Sequence, residues 1–286
     1  MEVLEKEGLL NEEIKKTIDT TEAIHFLAQP YAAVGHPWAC LGKRQNLQPN
    51  FFLLQQKTKQ VKTVSKLLKN LSKSRRKGVA WLVDPEKELD LEQFSWIGNS
   101  GLDLILVGGS SFSAGYFDKT VQQLRKIGRS IPICIFPGSY LQLSQKADAI
   151  LFMVLISGRN PEFLISHQVK AALEVQESGL EVLPTGYILV NNGELLSVHS
   201  VSQTLPLSND DPDFVKSTAL AGKFMGMRFF YLDAGSGASV PVSSGVISAV
   251  KNAVKSPLIV GGGLTDSEKV RKAFDAGADL IVLATP

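Results

Sequence analysis

Residues 231–238 read Tyr-Leu-Asp-Ala-Gly-Ser-Gly-Ala, and residues 258–266 read Leu-Ile-Val-Gly-Gly-Gly-Leu-Thr-Asp. Each is an apolar run that opens into glycines. Glycine lets backbone N–H groups approach an anion with no Cβ in the way, and a following helix N-terminus adds favourable partial charge. One glycine would mean only a tight turn. Three in a row, Gly261–Gly263, followed by Thr265 or Asp266 as a helix cap, point to phosphate. Together with Gly235-Ser236-Gly237 they suggest a cradle with two walls. Asp233 stands between an apolar approach and a glycine turn, so its carboxylate either faces a cavity or caps its own turn. Asp84, in Trp-Leu-Val-Asp-Pro, ends another apolar run just before a proline. A carboxylate there is a helix cap or a ligand for a hard cation. Mg²⁺ suits such a place, because it takes one or two carboxylates and lets substrate phosphates complete its shell. Ser110, at the end of a neighbouring run, could add a hydroxyl, and Arg159 in Ser-Gly-Arg-Asn-Pro could pair with a second phosphate.

Other chemistry is not signalled. The four histidines lack metal-ligand spacing, and there is no Cys-x-x-Cys, Gly-x-Ser-x-Gly or Walker pattern. A net charge of +2 over 286 residues is no nucleic-acid signature. Two cysteines make no disulfide framework, so a reducing compartment is expected. The acidic N-terminus excludes a secretory signal, and no run approaches the roughly 20 apolar residues of a membrane span. The expectation is a cytoplasmic protein.

These residues must be positioned by regular elements. From Gly78 onward eight short apolar runs recur, at 79–85, 103–111, 132–139, 149–158, 183–193, 228–237, 257–263 and 279–286, most of them separated by amphipathic text of helix length. Runs apolar on both faces that alternate with helices mean parallel strands covered by helices. Eight of them predict a (β/α)8 barrel, a fold of about 250 residues whose active sites lie at the C-terminal ends of the strands. An open doubly wound sheet is the alternative. The text between runs three and four is too short for a helix, so that crossover should be irregular. Residues 1–76 read as a partly helical extension, with helices expected at 11–28 and 61–74, and residues 77–286 as the barrel. The sequence stops after the eighth run, so no eighth helix is expected. Either the extension covers the flank of strand eight, or the chain is an incomplete version of a longer protein.

The motifs WLVDPEK, LILVGGSS, IPICIFPGS, ADAILFMVLISGRNPEFLISHQ, LPTGYILV, FFYLDAGSGASVPV, PLIVGGGL and AGADLIVLAT occur in this order. Together they resemble the geranylgeranylglyceryl phosphate synthase family, which includes the heptaprenylglyceryl phosphate synthases, over residues 78–286. The chain is most similar to its larger archaeal and bacterial branch. The resemblance implies a prenyltransferase in which the 3-hydroxyl of sn-glycerol 1-phosphate attacks C1 of a polyprenyl diphosphate, with Mg²⁺ as cofactor. It implies that Tyr231, Leu232, Asp233, Ala234, Gly235, Ser236 and Gly237 surround glycerol phosphate, with Asp233 orienting or deprotonating the hydroxyl. Gly262 and Gly263 would hold the phosphate, Asp84 and Ser110 the metal. A homo-oligomer, loosely associated with membrane because its product is a lipid, is expected. The chain departs from the family pattern at Asp233, where a glutamate is usual, at Ala284-Thr285, where Gly-Thr is usual, and at Ser157-Gly158. A competing reading is a weakened or inactive phosphate-binding barrel. An aldolase is disfavoured, since only Lys87 lies near a strand end.

Overall fold

The structure is a computed structural model that describes residues 63–74, 76–86, 94–109 and 114–284. Nine strands occur among them: β1 (Gly78–Val83), β2 (Leu104–Val107), β3 (Ile133–Ile135), β4 (Ala149–Leu155), β5 (Glu181–Asn191), β6 (Leu207–Ser208), β7 (Phe229–Asp233), β8 (Leu258–Gly261) and β9 (Leu280–Ala284). All but β6 form a parallel ring. Its order is β4-β3-β2-β1-β9-β8-β7-β5, and β4 pairs with β5 to close it. That last pairing excludes the open sheet. Each of the eight apolar runs is a barrel strand. The two-residue β6, which extends the end of β5 through Val190 and Leu207, was not expected.

Closure sorts the side chains by the two-residue period of a strand. Ala80, Leu104, Leu106, Leu183, Ile259 and Leu280 fill the barrel interior, while Trp81, Ile105, Val107, Ile188, Val260 and Ile281 belong to the layer beneath the helices. The helices are α1 (Val64–Lys73), α2 (Ala114–Gly128), α3 (His167–Ser178), α4 (Ser197–Ser202), α5 (Pro212–Phe224), α6 (Ser244–Val254) and α7 (Ser267–Asp275). Side chains stop them where the sequence suggests. Asp211 accepts the Phe214 N–H at the start of α5, and Asp266 accepts the Lys269 N–H at the start of α7. Between β3 and β4 there are only turns, as the short connection requires.

Two features appear at the ends of the barrel. Helix α1, in the extension that precedes β1, packs into the barrel interior. Its Val64, Leu68 and Leu71 recur at helical spacing and join the interior cluster together with Leu280 and Leu104. The Ser65 hydroxyl bonds Glu181 at the start of β5, and Lys251 of α6 bonds both Ser72 and Asp279. A barrel interior is open at its N-terminal end unless something fills it, and α1 does so. The outer flank of β9 is not bare either. Ile281 and Leu283 are buried in the outer layer with Phe274 of α7 and with Ile97 of a short 3₁₀ turn (Ser95–Asn99). The helix expected at 11–28 lies outside the described residues.

Leu68 is fully buried, so Leu68→Ala removes its apolar volume from the barrel's closed end. It should cost about 2–5 kcal/mol, read as a lower urea midpoint at unchanged slope.

Candidate active site

Tyr231 and Asp233 alternate on the inner face of β7, and both face the barrel mouth. The Asp233 carboxylate is buried, lines the cavity there, and is held by two donors. The Tyr187 hydroxyl of β5 donates to Oδ2 at 2.6 Å, and the Gly235 N–H donates to Oδ1 at 2.8 Å. Burial pushes this carboxyl above its ordinary pKa, while the same two donors pull the other way. Burial also raises Tyr187 well above the usual phenol range, and the neighbouring Asp233 charge adds to the rise. The pair therefore consists of a firmly protonated phenol and a carboxylate that takes up a proton more readily than an ordinary aspartate. Beneath it Phe136, Tyr187 and Tyr231 meet with ring centroids 5.3–5.8 Å apart and seal the interior.

The two glycine turns rest on each other. A Cβ on Gly262 would lie 2.7 Å from Asp233 Oδ1 and 2.7 Å from the Gly235 nitrogen. At Gly263 it would lie 2.9 Å from the Pro241 nitrogen, and both residues have positive φ. Part of the bareness in the sequence is thus close approach of protein to protein. Gly237 differs. Its φ is +80, yet a Cβ there would meet nothing within 4 Å, because it faces the cavity with Ser236. The N-termini behind the turns are already occupied by side chains, Ser243 on the Val246 N–H of α6 and Asp266 on the Lys269 N–H of α7. Each cap takes up one N–H of its helix's first turn, and the backbone at Ser236, Gly237, Gly262 and Gly263 lines the cavity beside them.

The cavity measures about 750 Å³ and has two regions. Asp84, Asp233, Ser236, Gly237, Gly262, Gly263 and Ala284 line the polar one. The other is an apolar arm along β4 toward α3, lined by Phe152, Met153, Phe163, Ala171 and Val175. It exists because no helix follows β3. Tyr140 and Leu143 of the short connection line the arm there, and with no helix to cover it the outer face of β4 is left to the cavity.

Asp84 stands at the end of β1, half-buried, and its Oδ1 accepts the Glu86 N–H at 3.0 Å. Its carboxylate also lies 3.0 Å from where a Cβ of Gly109 would be, at the end of β2. Its carboxylate thus ties down the turn that follows β1 and also lines the cavity. Ser110, Thr285 and Lys87 lie outside the described residues. Three expected site residues are not brought to the cavity. Leu232 faces the helices because β7 alternates, Ala234 is buried in the same outer layer, and Gly235 packs on Leu196. Arg159 also lies apart from this cavity. The chain leaves the barrel after β4, and the guanidinium bonds the Gly158 carbonyl at 2.7 Å on a second cavity with Asn160 and Thr204. Tyr187 belongs to LPTGYILV, one strand from Asp233, and nothing in that motif alone marks the phenol as a partner of the carboxylate. His199, buried beneath Gly235, gave no signal.

Residues 71–285 match the model of the PcrB family. The chain belongs to the PcrB family. A curated relative named geranylgeranylglyceryl phosphate synthase, from Spirosoma linguale, is 44% identical over 221 residues, covering 76% of this chain and 88% of the relative. A namesake from Thermococcus kodakarensis is 40% identical, covering 71% and 81%. The solved (S)-3-O-geranylgeranylglyceryl phosphate synthase of Thermoplasma acidophilum, in complex with substrate sn-glycerol-1-phosphate, superposes with a TM-score of 0.71. It is 33% identical, and the match covers 77% of this PcrB-family chain and 90% of that one.

The raised pKa of Asp233 has a consequence for stability. A carboxyl whose folded pKa exceeds its unfolded value stabilises the fold below the unfolded pKa, and that contribution is lost as pH rises through the folded one. Asp233→Asn should therefore melt as high as the parent at pH 4 and higher at pH 7.5, by thermal denaturation. Tyr187→Phe, which strips a donor from a buried carboxylate, should lower stability at pH 7.5 by about 1–3 kcal/mol.

Proposed function

We propose that this chain joins a polyprenyl diphosphate, geranylgeranyl in the first instance, to the 3-hydroxyl of sn-glycerol 1-phosphate, releasing pyrophosphate, as a step of ether phospholipid biosynthesis. One observation carries the reading: a single cavity unites a glycine-walled polar end, with a buried carboxylate at its edge, to an apolar arm. The relatives named above support it, since they bear the name of that activity and one of them holds sn-glycerol-1-phosphate. A small polar phosphate and a long apolar chain call for those two environments side by side.

In this reading the backbone of Ser236 and Gly237, with Gly262 and Gly263 opposite, receives the phosphate of the acceptor. Asp233 accepts the hydrogen bond of the 3-hydroxyl and then its proton. The oxygen–C1 bond forms as the C1–diphosphate bond breaks, and pyrophosphate leaves with the electron pair. Burial favours proton uptake by Asp233, and the Tyr187 hydroxyl fixes which way the carboxylate points. Aspartate serves where glutamate is usual, because this carboxylate lines the cavity from its own strand. The apolar arm holds the chain and keeps water from C1.

Mg²⁺ belongs to the same proposal. Among the described residues no group of three His, Cys, Asp or Glu could hold a metal. Mg²⁺ needs no such group when substrate phosphates supply most of its shell, so the half-buried, cavity-facing Asp84 fits it. Bound there, the ion would offset negative charge on the departing diphosphate. Among the described residues no helix is long and apolar enough to cross a membrane. Cytoplasmic location, self-association and loose contact with a membrane surface complete the reading.

The test is a turnover assay with radiolabelled sn-glycerol 1-phosphate and geranylgeranyl diphosphate, with and without Mg²⁺. Organic-extractable product that requires Mg²⁺ is expected, and Asp233→Asn should lower the rate by about 10²–10⁴. Asp84→Asn should lower it as well, with partial recovery at higher Mg²⁺. Folded protein that binds glycerol phosphate and yields no product would instead establish an inactive barrel.

A further inference from the structure

His199 is the third residue of α4, 2% exposed, and belongs to no motif that the sequence offered. The Leu196 N–H donates to its Nδ1 at 3.0 Å. The neutral ring must then carry its proton on Nε2, and that nitrogen is buried without a hydrogen-bond partner. A side chain kept only to fill space would not hold an orphaned donor, which costs about 1–3 kcal/mol. The ring lies under the phosphate turn. Its Cε1 is 3.4 Å, and Leu196 Cδ1 2.7 Å, from where a Cβ of Gly235 would stand. Gly235, at φ +97, in turn donates its N–H to Asp233. Histidine, leucine, glycine and aspartate thus form one chain of contacts that ends at the reacting carboxylate.

We propose that His199 is a positioning residue for the glycerol-phosphate site, its neutral imidazole holding the Asp233–Gly237 turn from beneath. The inference rests on the function proposed above. It works because Nδ1 must stay a lone pair. Protonation would set an N–H against the Leu196 N–H, break that bond and loosen the floor under Gly235. The charged groups that face the ring are Asp233 from β7 and Glu194 from the loop before α4, and both favour the cation. Burial opposes them and outweighs them, so the ring stays neutral below the usual histidine range. The affinity for glycerol phosphate should therefore be full at neutral pH and fall on acidification.

Titration calorimetry of the full chain with sn-glycerol 1-phosphate at pH 5 and pH 7.5 tests this. His199→Asn places Oδ1 where Nδ1 was, accepts the Leu196 N–H and does not titrate. Its Kd at pH 7.5 should stay within about twofold of the parent and change less with pH, while His199→Ala should bind about tenfold more weakly at pH 7.5, the loss of one hydrogen bond. In turnover His199→Ala should raise KM for glycerol phosphate more than it lowers kcat. Folded His199→Ala with the parent's Kd would overturn the proposal. So would His199→Asn with the parent's full pH dependence, which would then belong to Asp233 or to the second ionisation of the phosphate itself, at about pH 6. If His199→Ala does not fold, His199→Asn decides alone. A parent that binds geranylgeranyl diphosphate but no glycerol phosphate at either pH would remove the underlying reading, and this inference with it.

Discussion

The hydrogen bond from the Tyr187 hydroxyl to Asp233 joins two neighbouring strands at the level where packed interior gives way to cavity. Much of the site depends on it. It offsets part of what burying a carboxylate costs, it fixes the direction of Oδ2, and it leaves Oδ1 to tie down the turn through Gly235. A carboxylate with fewer donors in that position would be protonated or would swing to solvent, since an unpaired buried charge is not tolerated. The three-ring cluster below it keeps the phenol immobile.

This arrangement follows from barrel closure. β5 and β7 are neighbours only because the chain between them, with its α4 and α5, lies outside the ring. That detour is also what carries Leu196 and His199 under Gly235. The two glycine turns come from β7 and β8, adjacent strands in register at Asp233 and Gly261, so Gly262 must approach the β7 turn closely. The opposite side of the barrel is built by omission. Because the β3–β4 connection is too short for a helix, β4 keeps an outer face that the cavity reaches, and the apolar arm is the result. Such a gap in the helix layer would ordinarily lower stability, and the buried plug α1 at the other end adds apolar contact to the same interior.

By itself the sequence determined the strand set, the parallel, helix-covered fold class, the irregular third crossover and the residues that end each strand. These are local properties. A parallel strand covered on both faces must be apolar throughout, a helix must show its period, and the short text between the third and fourth runs has no room for a full one. The meeting of Asp84, Asp233 and the glycine turns at one cavity was legible for the same reason, since strand ends in a barrel converge. The tertiary structure alone decided what meets across the chain. It showed that Leu232 and Ala234 face away, because a two-residue period hides every second position, and that Arg159 turns to its own carbonyls. It placed α1 inside the barrel, since amphipathic spacing states that a face is buried but not against what. Tyr187 and His199 acquired meaning only there. They stand 46 and 34 residues from Asp233 along the chain, and no pattern read within a single segment could bring a phenol and an imidazole to the same carboxylate.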